Sequence, residues 1–171
     1  MNRNDAANDV SPTIPHAEVG VVVVDHGSRQ ADSNRMLLRI VEMFRERGPF
    51  TIVEPAHMEL AEPTLAAAFA RCVERGAKRV VVHPYFLLPG RHWREDIPAL
   101  AAAAASQHPG IDYLVTAPLA THPLLAEVIG QRVEQCLARL AGDTSQCDAC
   151  EGRADCRLHR GLSQFSRSEA Q

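Results

Sequence analysis

Along the chain, short runs of consecutive apolar residues alternate with longer stretches in which apolar positions recur every three or four residues. The first run, Val19-Gly20-Val21-Val22-Val23-Val24, is β-branched and bounded by polar residues, which predicts a strand buried on both faces. Leu37, Leu38, Val41 and Phe44 then follow helical spacing until Gly48-Pro49 stops the helix. A second strand is predicted over residues 50–56. Pro63 opens a helix whose face carries Leu65, Phe69, Cys72 and Val73, and Gly76 closes it. A third strand covers residues 79–83 and leads into a long loop reaching about Arg94. Pro98 suits the first turn of an alanine-rich helix that ends before Pro109-Gly110, and residues 112–116 form a fourth strand. Leu125, Val128, Ile129, Val133, Cys136 and Leu140 line a last helix. Strand and helix alternating four times predict an α/β fold: a four-stranded parallel sheet covered by helices on both faces.

This pattern divides the 171 residues into one domain over residues 19–141, a polar unstructured leader over 1–18 and a tail over 142–171. The leader has no apolar stretch of the kind a signal peptide carries, and no run approaches the roughly 20 apolar residues that span a bilayer. The expected compartment is therefore cytoplasmic, with no membrane partner, and the five cysteines are expected as thiols or metal ligands. A formal charge of −3 and 5% aromatic residues argue against a nucleic-acid partner.

In open parallel sheets, ligands bind beyond the carboxyl ends of the strands. Here those ends carry Asp25-His26-Gly27-Ser28-Arg29, then His57-Met58-Glu59-Leu60-Ala61-Glu62-Pro63, then the segment from Pro84 through Arg91-His92-Trp93-Arg94-Glu95-Asp96, and finally Thr121-His122. Five of the eight histidines lie within a loop's length of that edge. Neutral imidazole is the commonest ligand for divalent transition metals. Histidines and a carboxylate from separate loops would make a site with open coordination positions, from which an ion can be passed on. His57 and His83 read as structural rather than as ligands.

Together, D-H-G-S-R after a valine strand, M-E-L-A-E-P, and P-Y-F-L-L-P-G-R-H-W-R-E-D-I-P resemble the small class II chelatases of the CbiX and SirB type, with the match running from about Val19 to Val133. The resemblance implies a flavodoxin-like, chelatase-like fold and insertion of Co²⁺ or Fe²⁺ into sirohydrochlorin, in siroheme or cobalamin biosynthesis. It assigns His26 and His92 as metal ligands, and His26, Glu59 and His92 as the catalytic set, with Glu62 the fallback for Glu59. Removing two pyrrole protons requires a base near the metal path, and His26 and Glu59 have the chemistry for it. The substrate's carboxylates would be met by Ser28, Arg29, Arg91 and Arg94, since guanidinium groups clamp carboxylates through paired hydrogen bonds. Trp93 would either pack on the macrocycle or anchor the core. Because the family builds its enzymes from two such domains, fused or paired, a homodimer is expected.

The tail holds Cys147-Asp148-Ala149-Cys150 and Cys156, with Cys136 upstream and His159 three residues beyond. A C-x2-C pair with further thiolates can hold zinc or an iron–sulfur cluster, and some family members carry such a segment. Cys136 and His159 compete as fourth ligand. A non-enzymatic metal carrier or sensor would use the same histidines and this tail. A hydrolase with Ser28 as nucleophile is disfavoured, because D-H-G-S-R is not a G-x-S-x-G elbow. A phosphate or flavin module is disfavoured because Gly27 stands alone.

Overall fold

The continuous valine run becomes the middle of a sheet because both of its faces find cover. The computed structural model describes residues 15–141, and they fall into two units, one up to Ala120 and one from Thr121. In the first unit, β1 (Val19–Asp25), β2 (Ile52–His57), β3 (Arg79–Pro84) and β4 (Asp112–Val115) form an all-parallel sheet in the order β2-β1-β3-β4. Val22 and Val24 face one core with α2 (Leu65–Glu74) and α3 (Ile97–Ser106). Val19, Val21 and Val23 face the other with Leu37 and Val41 of α1 (Ala31–Arg47). The period-2 alternation of a strand thus sends neighbouring valines into separate cores, and helices cover both faces as expected.

Local signals explain where the elements stop. The Thr64 hydroxyl accepts a hydrogen bond from Ala67 N at 3.2 Å and caps α2. Gly76, at φ 95°, turns the chain out of that helix. On β1, Gly20 has no side chain because α2 lies against it: a Cβ there would come within 2.6 Å of the Cys72 Cβ. The second strand starts at Ile52 rather than residue 50, since Phe50 packs beside the core as a loop residue.

One larger difference concerns the segment before α3. The long loop expected up to about Arg94 instead closes into a π-helical turn over His92–Asp96 that runs directly into α3. Pro98 cannot supply the N–H that an α-turn sends to residue 94, and the chain upstream winds wider, with the Ile97 N–H reaching the His92 carbonyl.

The second unit holds α4 (Pro123–Leu140), capped by the His122 side chain, which accepts a hydrogen bond from Leu124 N. Its Leu124, Val128, Ile129, Val133 and Leu137 are exposed. No described helix is long and apolar enough to cross a membrane. The leader expected over residues 1–18 lies outside the described residues as far as residue 14, and its last part, His16–Glu18, forms a 3-10 turn. Cys147, Cys150 and Cys156 lie outside the described residues. Cys136 sits on α4 as a partly exposed free thiol.

Candidate active site

The strand order β2-β1-β3-β4 places a topological switch between β1 and β3. Their outgoing connections run to opposite sides of the sheet there and leave a crevice at the carboxyl edge. His26 leaves the end of β1 and His92 comes from the connection after β3. Their rings meet edge to face, with centroids 5.2 Å apart. Glu59, just beyond the end of β2, points its Oε1 at His26 Nε2 at 2.8 Å. Three residues spread over 67 positions of sequence are therefore brought together by parallel strand pairing (92 − 26 = 66 steps).

His26 meets protein oxygens with both ring nitrogens, and His92 with one. His26 Nδ1 lies 3.2 Å from the Gly27 carbonyl, a long contact that suits Nδ1–H as donor and leaves Nε2 toward Glu59. The Glu59 carboxylate thus sits against the second ring nitrogen of His26. His92 Nδ1 donates to Asp96 Oδ2 at 2.8 Å across the π-turn, which leaves its Nε2 available. A histidine tied through one nitrogen to a carboxylate or carbonyl is oriented for metal ligation through the other. Phe86 stacks on His92 with centroids 6.2 Å apart and gives that ring an apolar back. Among the described residues, no three His, Cys, Asp or Glu side chains are already gathered as a ready-made metal cluster. His26 and Glu59 are in contact with each other instead.

Glu62, the fallback for Glu59, turns away: its Oε2 accepts from Thr64 N at 2.9 Å beside the start of α2. Arg29, Arg91 and Arg94 are exposed. Arg91 pairs with Glu95 at 3.2 Å and reaches Asp96 at 3.8 Å, whereas Arg29 and Arg94 have no ion-pair partner among the described residues. The Ser28 hydroxyl accepts from Gln30 N at 3.0 Å, and the Asn34 amide clasps the Ser28 backbone at both its N–H (2.9 Å) and its carbonyl (2.8 Å). Trp93 serves as an anchor: its Nε1 donates to the Thr116 carbonyl at 2.9 Å and pins the π-turn to the end of β4. His83 is satisfied by Thr116 Oγ1 at 2.7 Å, and burial pushes its imidazole below the ordinary value. It lines an apolar cavity of about 470 Å³ with Val21, Val23, Phe44 and Tyr85.

Asp96, Asn34 and Asp25 were not singled out from the sequence. The His92-x3-Asp96 spacing was a usable signal for the first, since residues four apart meet on a helical surface. A loop reading of the segment up to Arg94 hides that spacing.

The CbiX family model matches residues 20–136, more than half of the sequence. The chain belongs to the CbiX family. It is 54% identical over 140 residues to a chloroplastic sirohydrochlorin ferrochelatase of Arabidopsis thaliana, covering 82% of this chain and 62% of that protein. It is 42% identical over 88 residues to a sirohydrochlorin cobaltochelatase of Methanocaldococcus jannaschii, covering 52% of this chain and 62% of the relative. The chain thus spans less than two thirds of the length of either relative. A crystal structure described as a putative cobalamin biosynthesis CbiX protein of Marinobacter aquaeolei superposes with a TM-score of 0.62 at 30% identity, over 71% of this chain and 98% of the other. The sirohydrochlorin chelatase SirB of Bacillus subtilis subspecies spizizenii, in complex with cobalt, superposes with a TM-score of 0.65 at 28% identity, over 69% of this chain and 50% of the other. These CbiX and SirB structures share the parallel α/β fold described above.

Proposed function

We propose that this CbiX-family chain inserts a divalent metal, Co²⁺ or Fe²⁺, into sirohydrochlorin. The observation that carries the reading is the meeting of His26, Glu59 and His92 at the β1/β3 crevice, each reached from a different strand end. It is supported by relatives named for that reaction with either metal.

Insertion exchanges two pyrrole N–H protons for one M²⁺, so the site must hold the ion loosely and accept protons beside it. His26 and His92 would present the ion through their Nε2 atoms, with Asp96 orienting the second ring. Glu59, exposed and against His26, would receive a proton and return it to solvent. Arg29, Arg91, Arg94 and Ser28 would meet the rim carboxylates, and Arg29 and Arg94, without an ion-pair partner among the described residues, are best disposed for this. Iron and cobalt both suit imidazole and carboxylate donors, so the donor set alone favours neither siroheme nor cobalamin synthesis.

A homodimer suits a single-domain chain whose α4 exposes an apolar stripe, since such surfaces mark interaction sites. A reducing compartment such as the cytoplasm suits the free thiols of Cys72 and Cys136. Cys136, Cys147, Cys150 and Cys156 form a thiolate set suited to an iron–sulfur cluster or zinc.

The test is optical. Anaerobic protein is mixed with sirohydrochlorin and Co²⁺ or Fe²⁺, and the macrocycle absorption is followed against a protein-free control. Insertion is expected to accelerate, and to fall by roughly 10²-fold or more in His26→Ala and in His92→Ala, with both variants folded. No acceleration by folded wild-type protein would replace the enzyme with a metal carrier or sensor.

A further inference from the structure

Asp25 and His57 stand opposite each other in the β1–β2 register, at the last position of both strands. One residue beyond lies His26 on the first chain, and two residues beyond lies Glu59 on the second. A single oxygen links these exits. Asp25 Oδ1 accepts from Gly27 N at 2.9 Å and from His57 Nδ1–H at 2.5 Å. The first bond folds back the loop carrying His26, and the second ties that loop to the strand carrying Glu59. The backbone adds two more rungs beyond the strands, Met58 N to the Asp25 carbonyl at 2.8 Å and Glu59 N to the His26 carbonyl at 3.1 Å.

The His26 loop is also held by the Asn34 amide on the Ser28 backbone, a contact that does not reach the Glu59 segment. Gly27 adopts φ 81°, a left-handed conformation suited to glycine, and a Cβ there would come within 2.0 Å of the Glu59 carbonyl. The two segments therefore touch backbone to backbone, with no side chain at position 27 to lock them. His57 is the buried end of the staple, with 1% of its side chain exposed, while Asp25 is about a quarter exposed at 24%. Burying a polar ring is costly unless it is hydrogen-bonded, so the pair makes structural sense only as a unit.

We propose that Asp25 and His57 are a positioning pair that holds His26 and Glu59 in register for metal transfer. The inference rests on the chelatase reading above. Neither residue touches the ion; they act by fixing the separation of His26, which would hold it, from Glu59, which would take up the proton beside it. Misplacing reacting groups by about an ångström costs on the order of 10²-fold in rate, and partners that orient ligands are worth about 10- to 100-fold in affinity or activity.

Three variants of the full chain test it: Asp25→Ala, Asp25→Asn and His57→Phe. Each is assayed for metal insertion, and each is titrated with Co²⁺ alone, following the cobalt absorption bands. In Asp25→Ala, kcat is expected to fall about 10- to 100-fold with KM for sirohydrochlorin unchanged, and Co²⁺ binding is expected to weaken by a similar factor. Asp25→Asn keeps an oxygen that can accept both bonds and is expected to restore most of the turnover. His57→Phe fills the buried space without a donor and is expected to behave like Asp25→Ala. Turnover and Co²⁺ affinity at the wild-type level in either disabling variant overturn the proposal, as does an asparagine variant as impaired as the alanine. If wild-type protein inserts no metal at all, the chelatase reading fails, and the Co²⁺ titrations still decide whether the pair organises the histidine site.

Discussion

His26 and Cys72 show how differently two reactive side chains are treated by their surroundings. The imidazole is partly exposed and sits between a backbone carbonyl and a carboxylate. The thiol is fully buried on the inner face of α2, and burial, reinforced by the charge of Glu54, pushes it up to about 12. A thiol of that kind presents almost no thiolate near neutral pH and has no access to reagents. Iodoacetamide is therefore expected to leave Cys72 unmodified in native protein and to alkylate it once denaturant is added, with the site read by peptide mass mapping. Rapid labelling of Cys72 would show that the core around it opens. The sequence placed Cys72 on an apolar helix face and so read it as core. It also named His26, Glu59 and His92. It could not show that His26 contacts Glu59 and not Glu62, because that depends on the turn after β2, where Leu60 takes φ 66° and Glu62 is drawn to the start of α2.

Among the elements, β1 and α2 illustrate a constraint that hydrophobic periodicity does not reveal. Gly20 lies inside a strand, where glycine is ordinarily unfavourable, yet the gap it leaves admits α2 to close contact. Gly20→Ala is expected to destabilise the fold by about 1–3 kcal/mol, measured by urea unfolding, because the new methyl meets Cys72 Cβ and Ala77 Cβ. Adding Cys72→Ala should not relieve the loss, since the collision is at Cβ; full recovery in the double variant would show that Sγ was the obstacle. The strands were legible because runs of consecutive valine and isoleucine are unusual outside buried parallel sheets. The π-turn was not, since its 92–96 segment is charged and aromatic and carries no apolar period. What forms it is the His92–Asp96 bond and the missing N–H of Pro98, both local, together with the Trp93 tether to Thr116, which depends on a neighbour in space.

For the molecule as a whole, the titration of His83 links fold stability to pH. Burial lowers its affinity for a proton in the folded chain, so the unfolded chain binds that proton more readily. The stabilisation is then complete above the unfolded value of about 6.5 and is lost as pH falls toward the lower folded value. Urea midpoints should accordingly drop from about pH 7.5 to pH 5.5, and His83→Gln, which can still donate to Thr116, should show a shallower drop. Equal slopes in the two proteins would remove His83 from the acid sensitivity. The same scale separates what each level of description decides. The sequence alone determined the number and order of elements, the parallel sheet and the residues at its carboxyl edge, because apolar period, glycine, proline and capping residues act locally along the chain. The strand order β2-β1-β3-β4, and with it the crevice between β1 and β3, was decided only in three dimensions. So were the contact of His26 with Glu59, the Asp25–His57 staple and the π-turn that carries His92. Each of these depends on which strand ends lie side by side, and that is settled by packing two cores against one sheet, a choice that no local pattern carries.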